Sequence, residues 1–387
     1  MLFITFSFLL SSLKPLLLKE KIYLSPPDLK GNEQALLKNV FESNWIAPQG
    51  PMITTFENNL SKTVSVSYAV ALNSATSAIH LGLKVLGIKK GDKVLCTTFT
   101  FVASVNPISY IGAVPILVDV EKETWNICPV LLEKAILSEI EKGQKPKVLI
   151  LVHGYGMPAK VDEVLAITKK YDILVLEDAA SALGSIYKNQ YCGTFGDVGV
   201  FSFNGNKIIT TSGGGMLVTH KKELADKTLY LSTQAKEVNT GYEHHQIGFN
   251  YRLSNVLAAI GVAQLELLDD FVNTRRENHL FYINELRDVE VSFLEDTINT
   301  KSNFWLTSLL FNSHEIKEKV RLSLLADNIE CRSLWMPIHQ QKIYQFAIFY
   351  SNGNSDDLHQ RGLSLPSGSS MTTNDLQRVC KVIKSYF

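Results

Sequence analysis

The sequence predicts an α/β protein: a mostly parallel seven-stranded sheet flanked by helices, plus a smaller C-terminal α+β unit. Three observations predict it. Short apolar runs rich in β-branched residues alternate with amphipathic stretches of helical length. The runs are continuously apolar, as strands buried on both faces are. Past Ser254 the pattern changes to one long helical region followed by shorter mixed elements.

In chain order, residues 1–20 are set aside as an extension. Their apolar part, Leu2 to Leu13, is shorter than the ~20 residues of a membrane-spanning helix. They lack the basic n-region and small-x-small cleavage site of a signal peptide, so no stable membrane span is expected. The candidate strands are Ala69–Leu72, Lys93–Thr97, Val114–Val118, Val148–Val152, Ile173–Glu177, Val198–Ser202 and Gly215–Thr219. Helical stretches between them include Ser77–Val85, Leu131–Glu141 and Val161–Lys170. These make 21–254 a large domain. The long helix Asn255 to Asn284, the strands Val289–Leu294 and Trp305–Phe311, and the helix Thr373–Ser385 make 255–387 the connecting helix and small domain.

Composition narrows the function. Among 387 residues, 45% are hydrophobic and 20% charged, too apolar for a disordered chain. Lys+Arg 38 balances Asp+Glu 38, and no basic run appears, which argues against a nucleic-acid partner. The five cysteines are scattered and never spaced CxxC, so neither a disulfide framework nor a metal site is expected, and a reducing compartment, the cytoplasm, is the simpler setting.

In open parallel sheets, ligands bind beyond the carboxyl ends of strands. Three segments put chemistry there. Asn73-Ser74-Ala75-Thr76-Ser77-Ala78 follows a strand and opens a helix. Its free N–H groups, hydroxyls and positive dipole end can hold a phosphate, although plain N-capping explains the residues as well. Ile173-Leu174-Val175-Leu176-Glu177-Asp178-Ala179-Ala180 puts two carboxylates at the end of a buried strand. Alternation sends them to opposite faces, so at most one faces a site. Phe201-Ser202-Phe203-Asn204-Gly205-Asn206-Lys207 places one lysine among small and hydroxyl residues. A poorly solvated lysine has the lowered pKa that Schiff-base formation needs; a surface-loop lysine is the plain alternative. A phosphate cradle, a carboxylate and an imine-forming lysine together meet the requirements of pyridoxal 5′-phosphate.

The chain also resembles the DegT/StrS-type nucleotide-sugar aminotransferases, fold type I pyridoxal phosphate enzymes. The resemblance runs from about Lys21 to the C-terminus and is carried by Ser43–Pro48, Asn73–Ala78, Phe99–Ala103, Glu177–Ala180, Phe201–Lys207, Gly248–Leu253 and Leu365–Gly368. The surroundings of Lys207 and the segment Arg332–His339 resemble the branch acting on UDP-linked 4-keto-6-deoxy-N-acetylhexosamines, of the UDP-N-acetylbacillosamine pathway type.

The resemblance implies that Lys207 holds the cofactor covalently and Asp178 pairs with its ring nitrogen. Ala75, Thr76 and Ser77, with Ser202, would bind the phosphate, and Phe101 would stack on the ring. It implies a homodimer with shared active sites, in which Asn250 reaches the partner's phosphate. Trp45, His244, Trp335 and His339 are candidate sugar-nucleotide contacts. One departure stands out: Ser181 occupies a position near the cofactor where the family often has Gln or Glu. The histidine that replaces the lysine in related sugar dehydratases is absent, since Lys207 is retained. The expected reaction moves an amino group from L-glutamate to C4 of the keto sugar, for glycan or surface polysaccharide synthesis. The alternatives are a GDP- or dTDP-linked or 3-keto sugar, or a non-catalytic regulatory protein of the same fold.

Overall fold

The computed structural model describes residues 19–237 and 242–387; residues 1–18 of the extension lie outside the described residues. An eight-stranded sheet runs in the order Tyr68–Leu72, Gly215–Thr219, Val198–Ser202, Leu174–Asp178, Val148–Val152, Lys93–Thr97, Val114–Val118, Ile348–Tyr350. From Val198–Ser202 to Ile348–Tyr350 all pairings are parallel. Gly215–Thr219 is antiparallel to both of its neighbours.

All seven predicted strands are present. The acidic one is shifted by a residue, so that Asp178 is its last member. Alternation along Val148–Val152 buries Val148, Ile150 and Val152 in one apolar cluster and Leu149 and Leu151 in another. That two-sided burial is why these strands read as unbroken apolar runs.

The eighth strand, Ile348–Tyr350, comes from the stretch 255–387 and lies parallel on the Val114–Val118 edge. Buried Asp119 anchors the turn that follows it. Its Oδ2 accepts from the N–H groups of Asn352 (3.1 Å) and Gly353 (3.0 Å), and its Oδ1 from that of Ser355 (3.0 Å). The Tyr350 hydroxyl donates to Glu139 Oε1 at 3.0 Å, tying the strand to the helix beneath.

The long helical region expected over Asn255 to Asn284 is two helices, Asn255–Glu266 and Leu268–Glu285. They meet at Leu267, whose N–H reaches Gln264 O at 3.1 Å, a tightened three-residue closure. The first packs on the helix Pro51–Thr63, with Gly261 beneath Phe56 so closely that a Cβ would stand 2.7 Å from the ring. The second leads into a four-stranded antiparallel sheet ordered Val291–Phe293, Ser308–Phe311, Gly362–Ser364, Arg332–Ser333. The expected strand Trp305–Phe311 begins only at Ser308, because Trp305 belongs to the preceding turn. Helix Thr373–Lys384 starts with a capping box between Thr372 and Asp375. Ile22 bridges Ile329 and joins the apolar cluster of this sheet.

Candidate active site

The carboxyl ends of the parallel strands open into a cavity of about 570 Å³. Lys207, Asp178, Ser181, Ser202, Ala75, Thr76 and Phe101 all line it. Sequence positions from 75 to 207 are thus brought together.

Lys207 stands on the turn after Val198–Ser202, its N–H bonded to Asn204 O at 2.9 Å. The preceding carbonyl, of Asn206, accepts from the Trp305 indole N–H (2.6 Å) and the Ser25 hydroxyl (2.8 Å). The Lys207 ammonium donates to Ser181 Oγ at 3.1 Å and lies 3.9 Å from the centroid of the Trp305 ring. Burial disfavours the ammonium and pulls its pKa down to about 8, against a smaller opposing effect of Asp178. This is a nitrogen with an accessible neutral form.

Asp178 is buried at its strand end. Its Oδ2 accepts from the Ser104 hydroxyl at 2.6 Å and its Oδ1 from the Ala180 N–H at 3.1 Å. Thr100 Oγ1 lies 2.8 Å from Ser104 Oγ, extending the chain of hydroxyls. Its neighbour Glu177 points to the opposite face, as alternation requires. There it meets His153 Nε2 (2.9 Å) and the N–H groups of Gly193 (2.8 Å) and Gly196 (2.6 Å), a closed knot outside the cavity lining.

The helix Ala75–Val85 presents its N-terminus to the cavity. Ser74 caps it, accepting from the Ser77 N–H at 3.0 Å. Ala75 and Thr76 face the cavity beside Ser202, Gly213 and Gly214. Ser77 is not among the lining residues: its hydroxyl donates to Asn73 Oδ1 at 2.7 Å and serves the cap. Gly215 lets this helix start sit on the strand end, since a Cβ there would stand 2.4 Å from Ala75 N.

The remaining expected residues divide. Trp335 lines the cavity, stacked on Tyr155 with centroids 4.0 Å apart. His339 does not line it; its Nδ1 is 2.8 Å from Thr98 Oγ1, its Nε2 is 3.1 Å from Asp356, and its ring stacks on Phe349. Trp45 and His244 are exposed and also outside the lining, the His244 ring bonded to Gln234 O at 2.9 Å. Asn250 is exposed and outside it too. Phe101 lines the cavity, with its residue 59% exposed.

Sequence reasoning missed Ser104, Tyr155 and Trp305. Buried Tyr155, three residues beyond the strand Val148–Val152, accepts from the Trp335 backbone N–H at 2.8 Å and clusters with Trp335 and Trp305, with ring centroids 4.0 to 6.5 Å apart, as an aromatic wall of the cavity. Arg275 supports it from behind, donating to Trp305 O (2.8 Å), Ser367 O (3.1 Å) and Ser25 Oγ (3.1 Å). Burial lowers the pKa of this guanidinium to about 10.

These residues fit pyridoxal 5′-phosphate by their donor chemistry: one cavity offers free helix N–H groups, a buried carboxylate and a lysine of lowered basicity.

Comparison with known proteins adds independent findings. The model of the DegT/DnrJ/EryC1/StrS aminotransferase family matches residues 27–384. The chain is 46% identical to the putative pyridoxal phosphate-dependent aminotransferase EpsN of Bacillus subtilis, over 95% of this chain and 96% of that one. It is 37% identical to GDP-perosamine synthase of Escherichia coli O157:H7, over 93% and 97%. Among solved structures, Helicobacter pylori PseC, an aminotransferase involved in the biosynthesis of pseudoaminic acid, superposes with a TM-score of 0.88 at 27% identity, covering 95% of this chain and 99% of that one.

Proposed function

Since the chain belongs to the DegT/DnrJ/EryC1/StrS aminotransferase family, we propose that it moves the amino group of L-glutamate to C4 of a UDP-linked 4-keto-6-deoxy-N-acetylhexosamine. It is a pyridoxal phosphate-dependent sugar aminotransferase. The observation that carries the reading is the single cavity holding Lys207, Asp178 and the Ala75 helix start.

When bound, the cofactor supplies an electron-poor ring into which charge at a substrate carbon can spread. The protein does the rest. The Ala75 and Thr76 N–H groups and the Ser202 hydroxyl bind the phosphate. Asp178, its direction fixed by Ser104 and Ala180, holds a proton at the ring nitrogen. Lys207, in its neutral form, takes the proton from the donor's α-carbon and in the second half-reaction returns one to C4 of the sugar. Ser181 orients that amine through its 3.1 Å contact. The Tyr155–Trp305–Trp335 wall keeps bulk water from it.

The UDP-linked substrate is supported by the resemblance around Lys207 and Arg332–His339. A second reading, a GDP-linked keto sugar, is supported by the 37% identity to GDP-perosamine synthase. Both fit a cytoplasmic homodimer in which Asn250 completes the partner's phosphate site, a role suited to an exposed side chain outside its own cavity.

The test mixes purified holoenzyme with L-glutamate and UDP-, GDP- and dTDP-linked 4-keto-6-deoxy sugars and identifies the products by NMR. Amination of the UDP-linked N-acetyl sugar at C4 is expected. Turnover of the GDP-linked sugar alone replaces the first reading with the second, and absence of 2-oxoglutarate in every mixture overturns both.

A further inference from the structure

One fully buried side chain, Asn303, ties the stretch 255–387 to the loops around the Lys207 cavity. It stands between the strands Thr300–Lys301 and Ser308–Phe311. Its amide is completely used: Nδ2 donates to the carbonyls of Ser181 (3.0 Å) and Leu183 (2.8 Å), and Oδ1 accepts from the Trp305 N–H at 2.9 Å. Its backbone N–H goes to Ser185 Oγ at 2.9 Å, and that hydroxyl donates to Gly156 O at 2.6 Å.

The place suits asparagine closely. Two carbonyls and one N–H ask for two donors and one acceptor on a short stem, the inventory of this amide. Glutamine has the same groups on a longer stem, and there is no room for it: Asn303 Oδ1 lies so near Gly156 that a Cβ there would collide with it. The backbone is strained on both sides of this contact. Tyr155 (φ 55°) and Phe304 (φ 43°) are bulky residues in the left-handed region. Such strain persists where the surroundings over-determine it, and it gathers at functional sites.

Two of the residues fixed in this way are those that touch Lys207. Its ammonium donates to Ser181 Oγ at 3.1 Å and lies 3.9 Å from the Trp305 ring centroid. Asn303 grips the Ser181 carbonyl with one end of its amide and the Trp305 N–H with the other. The carboxylate that influences the amine, Asp178, is held by Ser104 and Ala180, which Asn303 does not bond.

We propose that Asn303 is a positioning residue for proton transfer at Lys207, fixing the Ser181 hydroxyl and the Trp305 ring together around its amine. The inference rests on the aminotransferase reading above, in which that amine carries the proton. Without the Asn303 amide, two buried carbonyls and one N–H lose their partner and must recruit water. Water admitted there also solvates the ammonium, so burial disfavours the charged form less.

The test uses the full-length protein, with pulsed acylation of Lys207 before cofactor is added, steady-state kinetics after, and the thermal midpoint as a check on folding. In Asn303→Ala the acylation midpoint is expected to move up by about one pH unit or more, from near 8 toward the ordinary 10.5. One unit is tenfold in the protonation ratio, so kcat at pH 7 falls about tenfold and recovers as pH rises, while the KM for L-glutamate changes little. Ser185→Ala keeps the Asn303 amide and removes the acceptor of its backbone N–H, so it moves the midpoint the same way by less. The control is Asn255→Ala. Asn255 is equally buried and bonds Met52 N (2.9 Å) and Trp45 O (2.8 Å), neither of them in the cavity lining. Its loss lowers the thermal midpoint and leaves the Lys207 midpoint in place. An unmoved Lys207 midpoint in folded Asn303→Ala overturns the proposal; if that variant does not fold, an unmoved midpoint in Ser185→Ala does so. Equal movement in Asn255→Ala also overturns it, since general loosening would then suffice. The labelling needs no turnover, so a wild type that forms no 2-oxoglutarate from glutamate marks the separate failure of the aminotransferase reading.

Discussion

The Lys207 ammonium lies 3.9 Å from the centre of the Trp305 ring, so the nitrogen proposed to do the chemistry is covered by an aromatic face rather than by a carboxylate. The two influences oppose each other. Burial favours the neutral amine, while the ring's quadrupole favours the ammonium.

In cofactor-free protein, acylation of Lys207 should titrate with a midpoint near pH 8, far below an ordinary lysine at 10.5. Peptide mass spectrometry after pulsed labelling reads it. Trp305→Leu keeps an apolar cover but removes about 0.5–2 kcal/mol of attraction for the cation, so the midpoint moves lower. The stability sign follows from the same shift. Between about 8 and 10.5 the unfolded chain binds the proton and the folded chain does not, so this group's contribution to stability rises with pH across that window. Lys207→Met flattens that slope. A midpoint matching that of surface lysines contradicts the account.

Lys207→Ala should fold, bind phosphate at the Ala75 helix start and lose turnover by about a thousandfold or more. Borohydride reduction no longer fixes the cofactor to the protein, because the covalent attachment is gone. Residual turnover within tenfold of wild type would show that another group carries the proton.

Asp178→Asn keeps the shape of the side chain and removes its charge; kcat should fall at least about a hundredfold. Ser104→Ala should do less. It removes one hydrogen bond to a charged group, about 1.5–3 kcal/mol, and leaves the carboxylate in place. Steady-state kinetics on both variants rank them, and equal losses would mean that Ser104 acts as more than an orienter.

Gly215→Ala forces a methyl to within 2.4 Å of the Ala75 nitrogen and of the Ser74 carbonyl carbon. The backbone must give, at about 1–3 kcal/mol, and the helix start moves off the strand end. A lower melting temperature together with weaker retention of phosphate is expected. Wild-type phosphate affinity would show that the helix start does not form the cradle.

The sheet was legible because its strands are buried on both faces, and six of the seven expected strands fall within a residue of the observed bounds at each end with the seventh, Leu174–Asp178, displaced by one. Lys207 and Asp178 were legible because their charges interrupt apolar or small-residue text. Ser104 was not, since a lone serine in Phe-Val-Ala-Ser-Val carries no pattern and gains meaning only when the Asp178 strand end arrives beside it. Tyr155 and Trp305 stand in no motif, and their stacking joins segments far apart in sequence. Arg275 carries no sequence pattern of its own; it is buried in a long helix, and its two terminal nitrogens find carbonyls and a hydroxyl on segments remote in sequence. The strand Ile348–Tyr350 is only three residues long, too short for any periodicity to register.

That last strand bears on how the chain is made. Ile348 pairs with Ile116, so the edge beyond Val114–Val118 stays bare on the ribosome until a strand more than two hundred residues further along has emerged. A nascent intermediate therefore carries an open hydrogen-bonding edge for as long as that intervening stretch takes to be made, the kind of surface on which neighbouring chains aggregate.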